Sequence, residues 1–378
     1  MKKVLFISYT NIFGGAEYVL CDYLRNNNYH DYYIYTTNKE EVILEYKKIL
    51  SNKNIYTSNK MNIVSIRKSF FVAIKNIMYN LIVIHKIVKK NNIDMLYGNN
   101  TLDVLLLVLY KKLINKNIKI ISHIHDIIEK NYIKIFIEKN NKYIDQFIVP
   151  SVATQKSLIN CKVNLKNISV VYNGINVNEK DVYINFNNEI KKRYNIDKNK
   201  IIYCFIGQIC KRKRVDLFIN IINKLNKIEN KYIGLIIGEI SDEKYYNQIK
   251  NQMKDFIIYL GKMKRKNIFY EIYPQIDALI LTSDRDPLPT VILEAMSMGA
   301  IVISRDVDGV KEIVLDKKDG FIFPYNMDIE DITHLIRNIE KLSIEEKIKI
   351  KEMAKLKVRE KFNVENKIRK INRLIENL

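Results

Sequence analysis

Four cysteines and five histidines are all that 378 residues offer for thiol or imidazole chemistry. Cys21, Cys161, Cys204 and Cys210 are scattered. Cys204 and Cys210 stand too far apart for a C-x-x-C redox motif, and no paired Cys/His spacing marks a zinc site. Buried or surface thiols in a reducing compartment are expected instead. His30, His85 and His334 stand alone. His123 and His125 could face one side together, but no third ligand accompanies them, so no metal site is expected. No uninterrupted run approaches 18 apolar residues, and no bilayer-spanning helix is expected. Met1-Lys2-Lys3 leads into a short apolar strand rather than the apolar core and cleavage site of a signal peptide. Short-period repeats are lacking as well. The enrichment in Asn, Ile and Lys runs through every segment and reads as a background bias.

Acid is missing over one long stretch. The formal charge is +21, and residues 1–180 hold 26 Lys and Arg against 13 Asp and Glu. From Tyr46 to Ile93 there is no acid against ten basic residues. Such a field favours anionic partners. No nucleic-acid module accompanies it, so nucleic acid is not expected among them. Within this stretch, residues 63–90 alternate apolar residues with Lys and Arg at helical spacing. Two readings stand: an interfacial helix on an anionic membrane surface, or a crossover helix with its apolar face on a sheet and its lysines in water.

What is present points to an α/β protein. Aliphatic and aromatic residues make up 47% of the chain, enough for two cores at this length. The expected domains are residues 1–180 and 181–360, divided in the polar, Asn-rich stretch Val177–Lys200, with residues 361–378 as a closing helix. Lys3–Tyr9, Tyr32–Tyr35, Met95–Asn100, Ile118–His123 and Gln146–Pro150 read as strands of the first domain. Ile201–Gly207, Tyr232–Gly238, Phe256–Gly261 and Gly320–Pro324 read as strands of the second. Ser343-x-x-Glu346 is a capping box, and Val364, Ile368, Ile371, Leu374 and Ile375 lie close to helical period.

The chain is organised around Leu281–Arg305. An apolar strand ends at Thr282, a loop rich in Asp and Pro follows, and Pro289 suits the first turn of a helix over Thr290–Met298. Gly299 is a natural stop, and Ala300–Ser304 is a second strand. Asp286 lies in the loop and Glu294 inside the helix, with seven residues between them. A carboxylate among Ile, Leu, Ala and Met is costly without a partner. Free N–H groups at a helix start hold phosphate readily. Two acids bracketing such a start suit a sugar nucleotide.

This stretch resembles the E-x7-E motif of the retaining glycosyltransferases of family 4. Glu294 matches the second acid, within L-E-A-M-S-M-G-A-I-V-I-S. The first acid is Asp286, in D-P-L-P-T, where Glu before a Gly-containing loop is commonest, and it is similar to D-P-F-P variants within the family. Gly14 and Gly15, in G-G-A-E, resemble the family's first loop; taken alone the pair also fits a tight turn with positive φ. His125-Asp126 resembles the strand-end histidine near the donor sugar, and V-V-Y-N-G-I-N the turn before the domain boundary. Gln208-Ile209-Cys210-Lys211-Arg212-Lys213-Arg214-Val215-Asp216 resembles G-R-L-x-x-x-K-G-x-D-x-L. Lys213 falls on the phosphate-binding lysine. Gln208 falls where Arg is usual, with Arg212 or Arg214 as substitutes.

The resemblance implies a GT-B fold: two Rossmann-like domains with parallel sheets facing across a cleft, and a C-terminal helix crossing back to the first domain. It implies a retaining, metal-independent transfer with no cofactor, from a nucleotide-sugar donor to a glycan or lipid-linked acceptor. Asp286, His125 and Lys213 would be catalytic. Gly14, Gly15, Gln208, Arg212, Arg214, Leu288, Thr290, Val291 and Glu294 would bind the donor; Pro289 has no N–H to offer an anion. The expected location is the cytoplasm, at the inner face of the cell membrane. Two alternatives remain: a sugar-nucleotide epimerase of the same fold, which needs more acid/base groups than this His-poor chain offers, and a non-catalytic homologue that binds a sugar nucleotide or lipid.

Overall fold

The computed structural model describes residues 1–10, 13–61, 70–176 and 189–378. The chain forms two compact units, Met1–Gly174 with Val364–Leu378, and Ile175–Asn363. The expected boundary at residue 180 falls in 177–188, outside the described residues.

The first unit is built on seven parallel strands: β1 (Lys3–Ser8), β2 (Asp31–Thr37), β3 (Ile55–Ser58), β4 (Met95–Gly98), β5 (Lys119–His123), β6 (Gln146–Val149) and β7 (Ile168–Val170). Their order, β3-β2-β1-β4-β5-β6-β7, reverses direction between β1 and β4. Ligands of open parallel sheets bind at the carboxyl ends of strands near such a switch. Alternation along β1 divides the core: Leu5 and Ile7 face one apolar layer, Val4 and Phe6 the other. That is why the strand reads as an unbroken apolar run, since both faces are covered.

The Val364–Glu376 helix belongs to this unit. Ile371 and Ile375 join the layer of Leu20, Leu24 and Phe6. Asn372 Oδ1 accepts from the Tyr23 hydroxyl at 2.8 Å, and the buried Lys367 donates to the Val19 carbonyl at 2.6 Å. The helix thus covers the Gly15–Arg25 helix with its apolar stripe and ties it with polar bonds.

The Phe70–Asn91 helix bears on the expectation that no helix spans a bilayer, without overturning it. No uninterrupted apolar run is needed for a segment of low charge to reach membrane-spanning length and hydropathy. Phe71–Asn91 does so with Lys, His and Asn interspersed, and 33% of its most apolar window is buried. Its inner side carries Leu81, Ile84, Ile87 and Val88 into the core. Residues 63–69 of the basic region lie outside the described residues.

The second unit holds six parallel strands: β8 (Ile201–Ile206), β9 (Tyr232–Ile237), β10 (Ile257–Gly261), β11 (Ala278–Leu281), β12 (Ile301–Arg305) and β13 (Phe321–Phe323). Their order is β10-β9-β8-β11-β12-β13, with the switch between β8 and β11. The Val215–Ile228 helix buries Val215, Phe218, Ile219, Ile222 and Leu225 on the sheet, a stripe at helical period. Ser343 and Glu346 complete the capping box, each accepting the other's backbone N–H. Both sheets are thus Rossmann-like, as the sequence implies.

Candidate functional site

In the second unit, the switch point brings together the loops that leave β8 and β11. After β8, Gln208 is half-buried, and Lys211–Lys213 make one tight helical turn. Arg214 then takes the left-handed conformation, φ 51°, before the Val215–Ile228 helix. A side chain in that region costs about 1–2 kcal/mol, and bonds from the facing loop hold it there. The Thr282 hydroxyl donates to the Lys213 and Arg214 carbonyls at 3.1 and 2.8 Å. Asp284 N–H donates to the Arg212 carbonyl, and the Arg212 guanidinium to the Arg285 carbonyl, both at 2.9 Å.

Lys213 Nζ meets Asp286 Oδ2 at 2.6 Å, and both side chains are largely buried. This joins the expected phosphate-binding lysine directly to the first acid of the motif. Asp308, not singled out by the sequence, fixes the loop from the other side. One of its oxygens takes the Asp286 N–H at 2.8 Å and the other takes Arg285 at 2.9 Å. Asp284 is a second hub, holding Arg305 at 2.5 Å and Arg214 at 3.3 Å. Arg214 also pairs with Asp216 at 3.0 Å. Of the two substitutes for the arginine missing at Gln208, Arg214 is therefore committed to two carboxylates, whereas Arg212 holds a backbone carbonyl.

The helix after this loop runs Thr290–Ser297, with Pro289 as its cap rather than in its first turn. Pro289 has a helical φ of −67° but an extended ψ of 109°, which leaves it just outside the helix. Leu288 is buried, while Thr290 and Val291 are half-buried at the helix start. Gly299 has φ 76° and ends the helix in the left-handed form a glycine accepts freely.

Glu294 is buried at 5% exposure and is fully engaged. Arg265 Nε donates to Oε1 at 2.7 Å and the Tyr273 hydroxyl to Oε2 at 3.0 Å. Burial, and the Glu294 carboxylate beside it, hold the Tyr273 phenol far above its ordinary pKa, so it stays a donor. Arg265 and Tyr273 lie 29 and 21 residues upstream of Glu294. Their only sequence signal was the cost of the buried acid, which demanded some partner.

In the first unit, the strand ends of β1, β4 and β5 converge. Gly14 caps the Gly15–Arg25 helix in extended backbone, φ −127°, so it is no left-handed turn. Its N–H donates to Glu17 Oε2 at 3.0 Å, and Asn100 reaches Glu17 Oε1 at 3.3 Å. Burial raises the Glu17 pKa against these bonds. A Cβ placed on Gly15 would meet nothing within 4 Å. Packing therefore does not require glycine there.

His125 is half-buried beside Asn99, with Nε2 to Oδ1 at 3.4 Å. Its ring lies against that of His123, 3.9 Å between centroids and tilted by 31°, and His123 Nδ1 meets the Tyr97 hydroxyl at 2.9 Å. Burial, with Lys367 nearby, lowers the His125 pKa to about 3, so the imidazole is neutral at pH 7. His123 is likewise lowered by burial and by His125. The described residues contain no group of three or more His, Cys, Asp or Glu able to hold a metal ion.

Two Rossmann-like units on parallel sheets, each with polar and charged groups gathered at a strand-end switch, are the architecture of a GT-B fold. The sequence matches the model for glycosyl transferases group 1 over residues 186–357 and that for glycosyltransferase family 4 over residues 13–179. The chain belongs to this family of glycosyltransferases. An uncharacterized 41.2 kDa protein in the cps region of Klebsiella pneumoniae is 25% identical, over 88% of this chain and 87% of its own. A UDP-Gal:alpha-D-GlcNAc-diphosphoundecaprenol alpha-1,3-galactosyltransferase of Escherichia coli is 28% identical over 45% and 44%. An uncharacterized glycosyltransferase of Methanocaldococcus jannaschii, MJ1069, is 27% identical, and the match spans about half of each chain, 57% and 56%. Among solved structures, Anabaena HepE in complex with UDP and glucose superposes with TM-score 0.82 over the full length of both chains at 16% identity. That likeness is one of fold.

Proposed function

We propose that this chain is a retaining, metal-independent glycosyltransferase. It would move a sugar from a nucleoside-diphosphate sugar to a hydroxyl of a glycan or lipid-linked acceptor, in polysaccharide or glycolipid synthesis at the cytoplasmic face of a membrane. The observation that carries this reading is the Lys213–Asp286 pair, set at the switch between β8 and β11 beside the start of the Thr290–Ser297 helix. Lys213, with Arg212, supplies positive charge for a leaving diphosphate, and stabilising that charge as it develops is electrostatic catalysis. Thr290 and Val291 offer N–H groups at the helix start. Asp286 contacts the donor sugar and Glu294 the ribose. By the family resemblance, Gly14, Gly15 and the neutral His125 are the first unit's own donor-binding residues. The acceptor oxygen bonds to the anomeric carbon as its bond to the diphosphate breaks, on the same face, and a diphosphate oxygen takes the acceptor's proton. The relatives named for a diphosphoundecaprenol acceptor and for a cps region support the choice of acceptor class.

A second reading is a homologue that binds a sugar nucleotide without turning it over. The departures from the family pattern at Asp286, Gln208 and Pro289 favour it. A thermal-shift screen of the full chain against UDP-, GDP-, ADP- and CMP-sugars, followed by donor hydrolysis with the hit, separates the two. Binding raises Tm by mass action. A shift with measurable hydrolysis, both lost in Gly15→Ala without a change in ligand-free Tm, supports the transferase. A shift without hydrolysis or transfer supports the second reading, and no shift with any donor at millimolar concentration overturns both.

A further inference from the structure

The first three turns of the Phe70–Asn91 helix are inverted relative to an ordinary surface helix. The inward side carries the buried Asn76 and Asn80. Asn80 is held inside by the Tyr35 hydroxyl, which donates to Oδ1, and by its own donation to the Lys60 and Asn76 carbonyls at 2.8 and 2.7 Å. The outward side carries Ile74, Met78 and Ile82, exposed at 42%, 52% and 52%. Spacings of four residues on one helix make these side chains neighbours, so they form one apolar strip rather than scattered exposed residues. Phe71, 81% exposed, lies at the same end of the helix.

Cations flank the strip. Lys75 and Lys86 are exposed on the same side of the helix. Lys60 sits over the Tyr79 ring at 4.3 Å, beside the strip. The helix contains no Asp or Glu, and the acid-free stretch extends from Tyr46 to Ile93. An apolar strip edged with lysines and free of acid is complementary to a surface that is apolar inside and anionic outside. The rest of the helix surface contributes Leu81, Ile84, Ile87 and Val88 to the core. The helix therefore cannot enter a bilayer as a span without opening the first unit.

We propose that the outward face of this helix, centred on Ile74, Met78 and Ile82 with Lys75 and Lys86 at its edge, docks in the plane of an anionic lipid surface. The apolar side chains enter the boundary between head groups and acyl chains, and the lysines remain among the head groups. This rests on the exposed face alone and not on the catalytic reading.

The test uses the full chain and vesicles of phosphatidylcholine with or without phosphatidylglycerol. The absence of tryptophan makes Met78→Trp a single reporter. Its emission shifts to the blue with phosphatidylglycerol vesicles, while Trp placed at the exposed Ile344 of the second unit (Ile344→Trp) does not shift. In co-sedimentation, Lys75→Gln weakens binding about fivefold, the loss expected for one lysine near an anionic surface. Ile74→Ser with Met78→Ser and Ile82→Ser weakens it at least about tenfold, with Tm within a few degrees of the parent. Unshifted Met78→Trp emission together with unchanged binding of the triple variant overturns the proposal. So does light scattering that shows a dimer in the parent and a monomer in the triple variant without vesicles, which would assign the face to a second copy.

Discussion

Replacing Asp286 with Asn should tighten binding of the nucleoside diphosphate while lowering turnover of the sugar donor. Lys213 Nζ is held by Asp286 Oδ2 at 2.6 Å, with the two side chains 15% and 10% exposed. A diphosphate bound at this switch point competes with Asp286 for the same ammonium. A hydrogen bond between charged groups contributes about 1.5–3 kcal/mol. Asn keeps the shape and the backbone bond to Asp308 but removes the competing charge. Releasing about 2 kcal/mol corresponds to about thirtyfold in Kd. Lys213→Met should act oppositely, weakening the diphosphate by a similar factor and leaving Asp286 to repel it. Titration calorimetry at 0.15 M salt with UDP, or whichever diphosphate gives the largest thermal shift, measures both variants. Donor hydrolysis in parallel should fall in each. If Asp286→Asn, with Tm little changed, binds the diphosphate no better than the parent, Lys213 does not seat the phosphate.

Acidification should destabilise the first unit through His123 and His125. Their folded pKa values lie below the unfolded value, so below pH about 6.5 the unfolded chain binds more protons and stability falls with pH. With His125 lowered to about 3, its share between pH 7 and 5 is at most about 2 kcal/mol, less because its ring is only half-buried. The raised Glu17 and Asp103 work in the other direction. Urea titrations at pH 7, 6 and 5 should therefore show a smaller loss in His125→Gln than in the parent, and an equal loss would refute the assignment. Gly238→Ala should cost more than about 3 kcal/mol, because its Cβ would fall 1.7 Å from the Gly207 carbonyl oxygen at φ 154°. Gly261→Ala, at φ 71° with open space around it, should cost only about 1–2 kcal/mol; similar Tm losses for the two would contradict this account.

The strands that sequence reading places, such as Lys3–Ser8, Ile201–Ile206 and Ile301–Arg305, are buried on both faces and therefore read as apolar runs. Those it passes over, Ile55–Ser58 and Ile168–Val170, are the two edges of the first sheet, short and half-exposed. Edge strands are short and polar by necessity, so the periodic signal is weakest there. The same limit applied at the site. Motif spacing singled out Lys213, Asp286 and Glu294. Their partners Arg265, Tyr273, Asp284, Arg305 and Asp308 stand in turns and short helical pieces or at a strand end, at separations no local pattern encodes. The outward side of the Phe70–Asn91 helix was illegible for another reason. Apolar residues occur all round it, and the side that turns inward is the one where Asn80 finds its hydrogen bonds and Leu81, Ile84, Ile87 and Val88 reach the core.

These partners bear on how the site accepts a charged ligand. Arg214, Arg285, Arg305 and Lys213 are each paired, with Asp216, Asp284, Asp286 or Asp308. The loops after β8 and β11 are thus strapped to one another by ion pairs, with Lys211 and Arg212 as further positive charge. A diphosphate adds negative charge that the pairs must redistribute. The bond easiest to exchange is one whose acid has another task, and under the proposed function only Asp286 gains one, in the sugar hydroxyls. Asp284 and Asp308 gain none, so they keep Arg305, Arg214 and Arg285 in place while Lys213 turns to phosphate. Glu294 follows the same logic: Arg265 and Tyr273 satisfy both of its oxygens, each oxygen has lone pairs for a second donor, and ribose hydroxyls can add to the existing bonds without displacing them. Under the proposed function the loops are thereby held through Asp284 and Asp308 while Lys213 exchanges its carboxylate for phosphate.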